Sequence, residues 1–328
     1  YWLGAAAGSL STIVILNPRF LPVNIGWRLG FAVGGVIGLV VLYLRRYMPE
    51  SPRWLLTHGH PEEAERIVAE IERRVRGDTG RDLPPPAGTS LRIRPQKAYG
   101  FGLIARTIYQ RYRVRAALGL VLMASQAFFY NSIFFTYPLV LTQFYNVPGE
   151  KTGLYLLPFA LGNFLGPLAL GRFFDTIGRR KMISGTYALS ALLLVITAFL
   201  FGHNAISSVV QTVLWTVIFF FASSAASSAY LTVSEIFPLE MRALAIAFFF
   251  AIGTAIGGVA APWLFGDLIG SGSRMNLFYG YLASAGLMMA AAAMEAFFGV
   301  KAERQSLENL AAPLSAEESD GSQASLGA

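Results

Sequence analysis

The sequence contains no cysteine, which excludes a disulfide framework, a thiolate metal site and a cysteine nucleophile. Histidine is scarce too, since His58, His60 and His203 are the three in the chain and all fall in predicted loops. The His-Glu-x-x-His pattern, the nucleophile elbow and the phosphate-binding glycine loop do not occur. The sequence therefore predicts no enzyme activity, no metal site and no cofactor.

Charged residues are also few. They make up 14% of the 328 residues, and 54% are hydrophobic, whereas an ordinary soluble protein is about 25% charged. This composition predicts an all-α membrane protein with the lipid bilayer around it. The net charge of +7 does not indicate a nucleic-acid partner, because residues 45–115 carry all of it, with 15 Lys and Arg against 8 Asp and Glu. Such an excess is typical of a loop retained in the cytoplasm.

Eight apolar segments are long enough to cross a bilayer, which takes about 20 residues. In chain order these predicted spans are Tyr1 to Pro18, Ile25 to Leu44, Ala116 to Leu141, Thr152 to Gly171, Met182 to Gly202, Ser207 to Val233, Ala243 to Gly266 and Asn276 to Phe298. With residues 45–115 inside, 22 of the 26 Lys and Arg are cytoplasmic, so both termini are predicted to lie there. The first segment lacks a basic leader and a cleavage site, so we expect a span with neighbours upstream.

These segments predict four regions: 1–44 with two spans, a cytoplasmic loop at 45–115, six spans at 116–299 and a tail at 300–328. Within the loop, Pro61 to Gly77 predicts an amphipathic helix that Gly77 caps. That helix could pack under the bundle, lie on the membrane or be a solvated linker. The prolines at 84–86 favour an irregular tether, and the acidic, polar sequence after Pro313 predicts a disordered tail.

A basic turn joins the fourth and fifth predicted spans. From Gly171 to Lys181 it reads Gly-Arg-Phe-Phe-Asp-Thr-Ile-Gly-Arg-Arg-Lys. Gly171 and Gly178 allow close helix approach or a positive φ, and Asp175 is one acid among four bases. Taken alone, the turn could serve only to set the orientation of the spans.

Two further strings follow membrane spans. Pro-Glu-Ser-Pro-Arg-Trp-Leu-Leu, from Pro49 to Leu56, follows the second span, and Ser-Glu-Ile-Phe-Pro-Leu-Glu-Met-Arg, from Ser234 to Arg242, closes the sixth. A carboxylate at the membrane edge, such as that of Glu235, requires a cationic partner. Together with the turn, these strings resemble the signatures of the major facilitator superfamily near its sugar-porter and metabolite-proton symporter branches.

The resemblance implies a major facilitator helical bundle whose eight spans match spans 5 to 12 of twelve. It implies a secondary active transporter that works by alternating access, is proton-coupled when full length, and carries a small polar solute such as a sugar or organic acid. On this interpretation the chain is an N-terminally truncated form from a bacterial plasma membrane. The alternative from another class is a transporter-like solute sensor that signals through the loop.

By the same resemblance, a charge network at the cytoplasmic helix ends closes an inner gate, with Gly171 and Gly178 as hinges. Its members would be Glu50, Arg53, Asp175, Arg179, Arg180, Glu235 and Arg242. Exposed ion pairs of about 0 to 1 kcal/mol each can bias two states without locking either. The simpler alternative is that these pairs only fix helix packing.

The binding site is expected where polar side chains lie deep in apolar helices. Gln126 and Asn131 have the spacing of the Gln and Asn with which sugar porters hold hydroxyls. Tyr130, Tyr137, Asn163 and Trp215 complete the predicted substrate site. Ser125 and Phe129 depart from the family pattern, which weakens the sugar assignment more than the transporter assignment. We expect no buried carboxylate for acid-base chemistry in these spans, so a proton-coupling acid would lie elsewhere.

Overall fold

A computed structural model describes residues 2–15, 20–83, 101–303, 305 and 310–311. Twelve α-helices and two short 3-10 turns account for the regular structure of this part of the chain. The helices are α1 (Trp2–Ile15), α2 (Val23–Leu44), α3 (Pro52–Thr57), α4 (Pro61–Thr79), α5 (Phe101–Arg111), α6 (Arg113–Ile133), α7 (Tyr137–Tyr145), α8 (Thr152–Thr176), α9 (Arg179–Gly202), α10 (Ser208–Glu235), α11 (Leu239–Gly270) and α12 (Arg274–Phe298).

Seven helical stretches among the described residues are long and apolar enough to cross a membrane. They match the second to eighth predicted spans. The first predicted span contains α1, which has 14 described residues; Tyr1 and residues 16–19 lie outside the described part. The prediction of an all-α membrane bundle is confirmed. The proline tether at 84–86 and the tail after Pro313 also lie outside the described residues.

The third predicted span is not one continuous helix. It divides into α6 and α7, with a turn at 134–136 between them. Pro138 lies in the first turn of α7, where its missing N–H is tolerated. Within a continuous helix, its ring would clash with the carbonyl of Phe134, four residues earlier. The break thus places Pro138 in a first turn and not in the middle of the predicted span.

The amphipathic helix of the loop is longer than predicted. α4 continues past Gly77 to Thr79 and ends at Gly80, whose φ of 63° is the left-handed conformation that caps helices. The N–H of Gly80 bonds to the carbonyl of Arg76 at 2.9 Å. The prediction that Gly77 caps the helix is therefore wrong, because the positive φ falls three residues later.

Glycines bring two pairs of helices into backbone contact within the bundle. At the contact of α8 with α10, a Cβ at Gly162 would lie 2.5 Å from the carbonyl oxygen of Thr216, and one at Gly166 would collide with the carbonyl of Phe220. At the contact of α6 with α11, a Cβ at Gly257 would lie 2.7 Å from that of Ala127. Such close approach is how helices associate where the surroundings are as apolar as their side chains.

The two N-terminal helices are less enclosed. α1 lies along α8, whereas α2 presents large apolar side chains on its whole circumference, with Phe31 79% and Leu39 67% exposed. A helix that is apolar on all sides is typical of a surface covered by lipid or by other helices. α2 is therefore a membrane helix with little support from the rest of the described chain.

Arg274, at the start of α12, joins three helices at one end of the bundle, here called the Arg274 end. Its guanidinium lies over the rings of Phe144, Tyr145 and Phe201, with 5.4, 4.8 and 4.8 Å to their centroids. It also donates to the carbonyl of Phe144 at 2.6 Å. The cation thus holds the ends of α7, α9 and α12 together.

Candidate functional site

A cavity of about 570 Å³ lies where α1, α6, α10 and α11 meet. In the part of the chain that the structure describes, no charged side chain lines it. The lining consists of aromatic, small and uncharged polar residues: Trp2, Gln126, Ala127, Tyr130, Asn131, Phe134, Phe135, Ser223, Ala226, Ser227, Tyr230, Phe250 and Thr254.

The α6 wall of the cavity carries three of the six predicted substrate residues. Gln126, Tyr130 and Asn131 all line it. Gln126 and Tyr130 are four apart and share a face of α6, and Asn131 lies further round the helix at the edge of the same wall. The Asn131 amide nitrogen donates to the carbonyl of Ala127 at 2.7 Å, one turn earlier in α6. Both predicted amide side chains therefore lie on one wall of the cavity.

Asn163 lies directly behind this wall and is fully buried. The Tyr130 hydroxyl donates to its Oδ1 at 2.7 Å, and its own Nδ2 donates to the carbonyl of Phe159 at 2.8 Å. The Ser223 hydroxyl donates to the Asn163 backbone carbonyl at 2.8 Å. Asn163 therefore connects α6, α8 and α10, and supports Tyr130 rather than lining the cavity.

Aromatic rings dominate the rest of the lining. Trp2 stacks on Tyr130 with 5.8 Å between centroids and 28° between planes, and meets Phe134 edge-on at 5.6 Å. The Phe219 ring tilts against that of Tyr130, with 5.0 Å between centroids. Trp2 is not among the predicted site residues, because its role depends on α1 lying against the C-terminal helices.

Tyr137 and Trp215 lie in the core rather than in the cavity lining, and both are fully buried. The Tyr137 hydroxyl is 2.8 Å from Thr212 Oγ1, and its ring stacks on Phe159 at 5.0 Å. The Trp215 ring meets Tyr281 at 5.1 Å. These two predicted substrate residues stabilise the region of the core next to α7.

A cluster of charges marks the other end of the bundle, here called the Arg179 end. Arg179, the first residue of α9, forms an ion pair with Glu235 at the end of α10 and approaches Asp175 at 3.5 Å. The Arg179 and Glu235 side chains are only 10% and 15% exposed, whereas that of Asp175 is 58% exposed. The turn and the string that closes the sixth span thus meet at a nearly buried ion pair.

Other members of the predicted network have different contacts. Arg180 donates to the carbonyls of Ala296 at 2.8 Å and Phe297 at 3.3 Å, at the end of α12. Arg242 donates to the carbonyl of Phe237 at 3.4 Å. Glu50 and Arg53 are exposed on the chain around the start of α3, a helix that lies against α4.

The two predicted hinge glycines differ in geometry. Gly178 has a φ of 111° immediately before α9, a conformation that requires glycine. A Cβ there would lie 3.0 Å from the Glu303 carboxylate, which places a further acid near Arg179. Gly171 lies inside α8, which continues to Thr176, and a Cβ there would meet nothing within 4 Å.

The expectation that the spans contain no buried carboxylate is wrong. Glu295, in the last turn of α12, is 0% exposed, and its two oxygens have no hydrogen-bond partner among the described residues. A single acid near the end of an apolar stretch gives no local pattern, so its burial becomes evident only from the packing of α12 against α9.

Comparison with known families gives a match over nearly the whole chain. A family model described as "Sugar (and other) transporter" matches residues 3–312. Among solved structures, the chain resembles the major facilitator superfamily proton:xylose symporter XylE, with a TM-score of 0.66 at 21% identity. The match covers 87% of this chain and 58% of that protein, and at this identity it supports the fold alone.

Curated relatives show the same partial coverage. The chain is 28% identical over 299 residues to the putative metabolite transport protein YdjK of Escherichia coli, covering 87% of this chain and 59% of the relative. It is 26% identical to the niacin transporter NiaP of Acinetobacter baylyi, covering 80% and 54% respectively. The chain therefore spans little more than half the length of these relatives.

Proposed function

Because the chain belongs to the sugar (and other) transporter family of the major facilitator superfamily, we propose that its full-length protein is a secondary active transporter. Members of this family are integral membrane transporters and not enzymes. The proposed cargo is a small polar solute, such as a sugar or an organic acid. The observation that carries this proposal is the cavity of about 570 Å³, which combines an amide pair with aromatic walls.

The cavity lining suits the two tasks of such a binding site. The amides of Gln126 and Asn131 supply hydrogen bonds that orient a polar solute. The stacked rings of Trp2 and Tyr130 supply a flat apolar surface that is held in place through Asn163. Because polar groups are costly in hydrocarbon, an amide pair beside a cavity is best explained by a ligand that uses it.

The Arg179 end is the proposed inner gate. Arg179 and Glu235 join the start of α9 to the end of α10, with the exposed Asp175 beside them. A pair this deeply buried is strongly favoured only while both partners remain in contact. Opening would exchange these contacts for water or for other charges, so the pair biases the equilibrium between two states.

Several finer parts of the proposal follow from charge distribution and family. We place the Arg179 end and both termini in the cytoplasm, because 22 of the 26 Lys and Arg then lie inside. A proton is the proposed coupling ion and a bacterial plasma membrane the proposed location. The halves of such transporters rock about a site near the bilayer midplane, so the N-terminal half would complete the cavity.

A binding experiment on the full-length protein tests the cavity. Xylose, myo-inositol and niacin are first tested for binding to the parent protein. We expect Gln126→Ala and Asn131→Ala each to weaken the binding of the solute that the parent binds. The loss of one or two hydrogen bonds predicts about 5- to 30-fold weaker binding. Gln143→Ala, in an exposed position of α7, is the matched control and should leave affinity unchanged.

Uptake into proteoliposomes separates transport from sensing. We expect saturable uptake by the full-length protein and none by this chain alone. Binding without any flux in the full-length protein would favour the solute-sensor alternative. Unchanged affinity in both Gln126→Ala and Asn131→Ala would refute the assignment of the cavity.

A further inference from the structure

The carboxyl group of Glu295 has no role in the transport cycle proposed above. It lies in the last turn of α12, fully buried, and neither oxygen has a hydrogen-bond partner among the described residues. An ionised carboxylate without a partner is one of the least favourable groups to remove from water. An ionisable side chain inside a membrane bundle is therefore a functional candidate, and its partner has to be identified.

The position of Glu295 in its helix disfavours a negative charge further. The last turn of a helix carries the partial negative charge of its unpaired carbonyls, which repels an anion. Gly299 follows at the end of α12, and a Cβ there would lie 2.5 Å from Glu295 Oε1. The missing side chain leaves room for the carboxyl group to remain folded against its own helix end, away from water.

Arg180 of α9 is the nearby cation. It acts electrostatically on Glu295, yet its hydrogen bonds go to the carbonyls of Ala296 and Phe297. The guanidinium thus neutralises the end of α12 one residue beyond the carboxyl group. Tyr187, also on α9, is within electrostatic range as well, and its hydroxyl donates to the carbonyl of Leu122 at 3.1 Å.

The other described charged groups near Glu295 have other positions or partners. Lys181 of α9 and Lys301 beyond α12 are exposed, and Arg179 pairs with Glu235. On α6, Arg115 donates to the carbonyls of Ile236 at 2.7 Å and Leu310 at 2.9 Å, and Arg113 is exposed. α11 carries Arg242 near its start and Asp267 near the Arg274 end. Beyond α12, Glu303 lies beside Gly178. Arg180 is therefore the cation best placed to respond to Glu295.

We propose that Glu295 is a proton-binding site, which holds a proton while Arg180 is bonded to the end of α12. When the proton leaves to water, the carboxylate draws the Arg180 guanidinium away from the carbonyls of Ala296 and Phe297. Arg180 follows Arg179 in the chain, so this exchange links proton binding to the contact between α9 and α12 at the Arg179 end. Only this last step, the link to gating, rests on the proposed function.

Infrared spectroscopy of this chain in lipid tests the site without any solute. A protonated carboxyl group gives a carbonyl stretching band distinct from that of a carboxylate. The difference spectrum is the infrared spectrum of the parent chain minus that of Glu295→Gln. We expect it to show the protonated-carboxyl band at neutral pH. The band should shift in heavy water and disappear at alkaline pH. The matched control is Glu303→Gln, because Glu303 is the nearest other carboxyl group beyond α12 and lies beside Gly178, outside the last turn of that helix.

A second variant tests the role assigned to Arg180. Removing its cation by Arg180→Gln should make the Glu295 band persist to higher pH, because the carboxylate loses its partner. A band with unchanged pH dependence in Arg180→Gln would overturn the proposed exchange. Absence of the band at every pH in the parent chain would overturn the proton site itself, whatever the outcome of the uptake experiments.

If Glu295→Gln does not fold, labelling of the parent chain gives an independent result. A hydrophobic carbodiimide reacts with protonated carboxyl groups in apolar surroundings, and mass spectrometry identifies the modified residue. We expect modification of Glu295 at neutral pH and its loss on raising the pH. Modification of Glu303 with none of Glu295 would contradict the proposal.

Discussion

The hydrogen bond between Tyr130 and Asn163 offers a quantitative test of how the cavity wall is built. Both side chains are nearly or fully buried, and the 2.7 Å bond is formed between two helices. The perturbation is a double-mutant cycle of Tyr130→Phe, Asn163→Leu and the combined variant. Asn163→Leu also removes the bond from Asn163 to the Phe159 carbonyl. This loss is the same whether residue 130 is tyrosine or phenylalanine, so it cancels in the cycle and only the bond between Tyr130 and Asn163 remains.

The expected magnitudes follow from the contacts. Asn163→Leu removes the acceptor of a buried hydroxyl, so it should destabilise the protein by about 1–3 kcal/mol. Tyr130→Phe leaves Asn163 Oδ1 without its donor but keeps the bond from Asn163 Nδ2 to the Phe159 carbonyl. It should therefore cost less than Asn163→Leu, which loses both bonds. Hydrogen bonds between membrane helices contribute about 0.6 to 1.7 kcal/mol, and the coupling energy should fall in that range.

The assay is reversible unfolding in mixed micelles with increasing sodium dodecyl sulfate, followed by circular dichroism. The free energy of unfolding of the four proteins gives the coupling energy directly. A coupling below about 0.3 kcal/mol, the usual error of additivity, would refute the assignment of Asn163 as the support of the cavity wall.

Two further predictions concern the ends of the bundle. Arg274→Ala should lower the free energy of unfolding by about 2–4 kcal/mol, because the contacts with the rings and the Phe144 carbonyl are lost. The stability of Arg274→Lys should lie between those of Arg274→Ala and the parent, because lysine keeps the charge but lacks the planar guanidinium. A lysine variant as stable as the parent would contradict this account. At the Arg179 end, Glu235→Gln should expose the cavity from the cytoplasmic side. Since the chain has no cysteine, Ser227→Cys provides one thiol in the cavity, and an impermeant thiol reagent applied from that side should react with it faster in Glu235→Gln. An unchanged rate would refute the gate.

The charged motifs at the ends of the spans could be predicted because each one is a short, contiguous stretch of sequence. Arg179 and Glu235 lie in strings of fixed spacing that follow apolar segments, and the structure brings these two residues together. The amide pair on α6 was predicted from its resemblance to the Gln and Asn of sugar porters, and both residues line the cavity. The spacing along the chain could not show which of the other polar residues would reach the cavity.

The features that could not be predicted from the sequence depend on contacts between distant segments of the chain. Trp2 becomes part of the cavity only because α1 lies against α8. Asn163 and Trp215 are both buried polar or aromatic side chains in spans, but only three-dimensional packing shows that one supports the cavity wall and the other stabilises the core. Glu295 is a similar case, since nothing in its immediate sequence distinguishes a buried acid from one at the membrane surface.

The glycine contacts at the α8–α10 and α6–α11 interfaces have a mechanical consequence. Where two backbones touch, there are no side chains between the helices that could deform or let one helix slide past the other. The α8–α10 pair and the α6–α11 pair should then each move as a rigid unit, with the distance between the two helices of a pair constant during the transport cycle. The width of the cavity would then change when these two helix pairs move relative to each other, or when α1 moves relative to them.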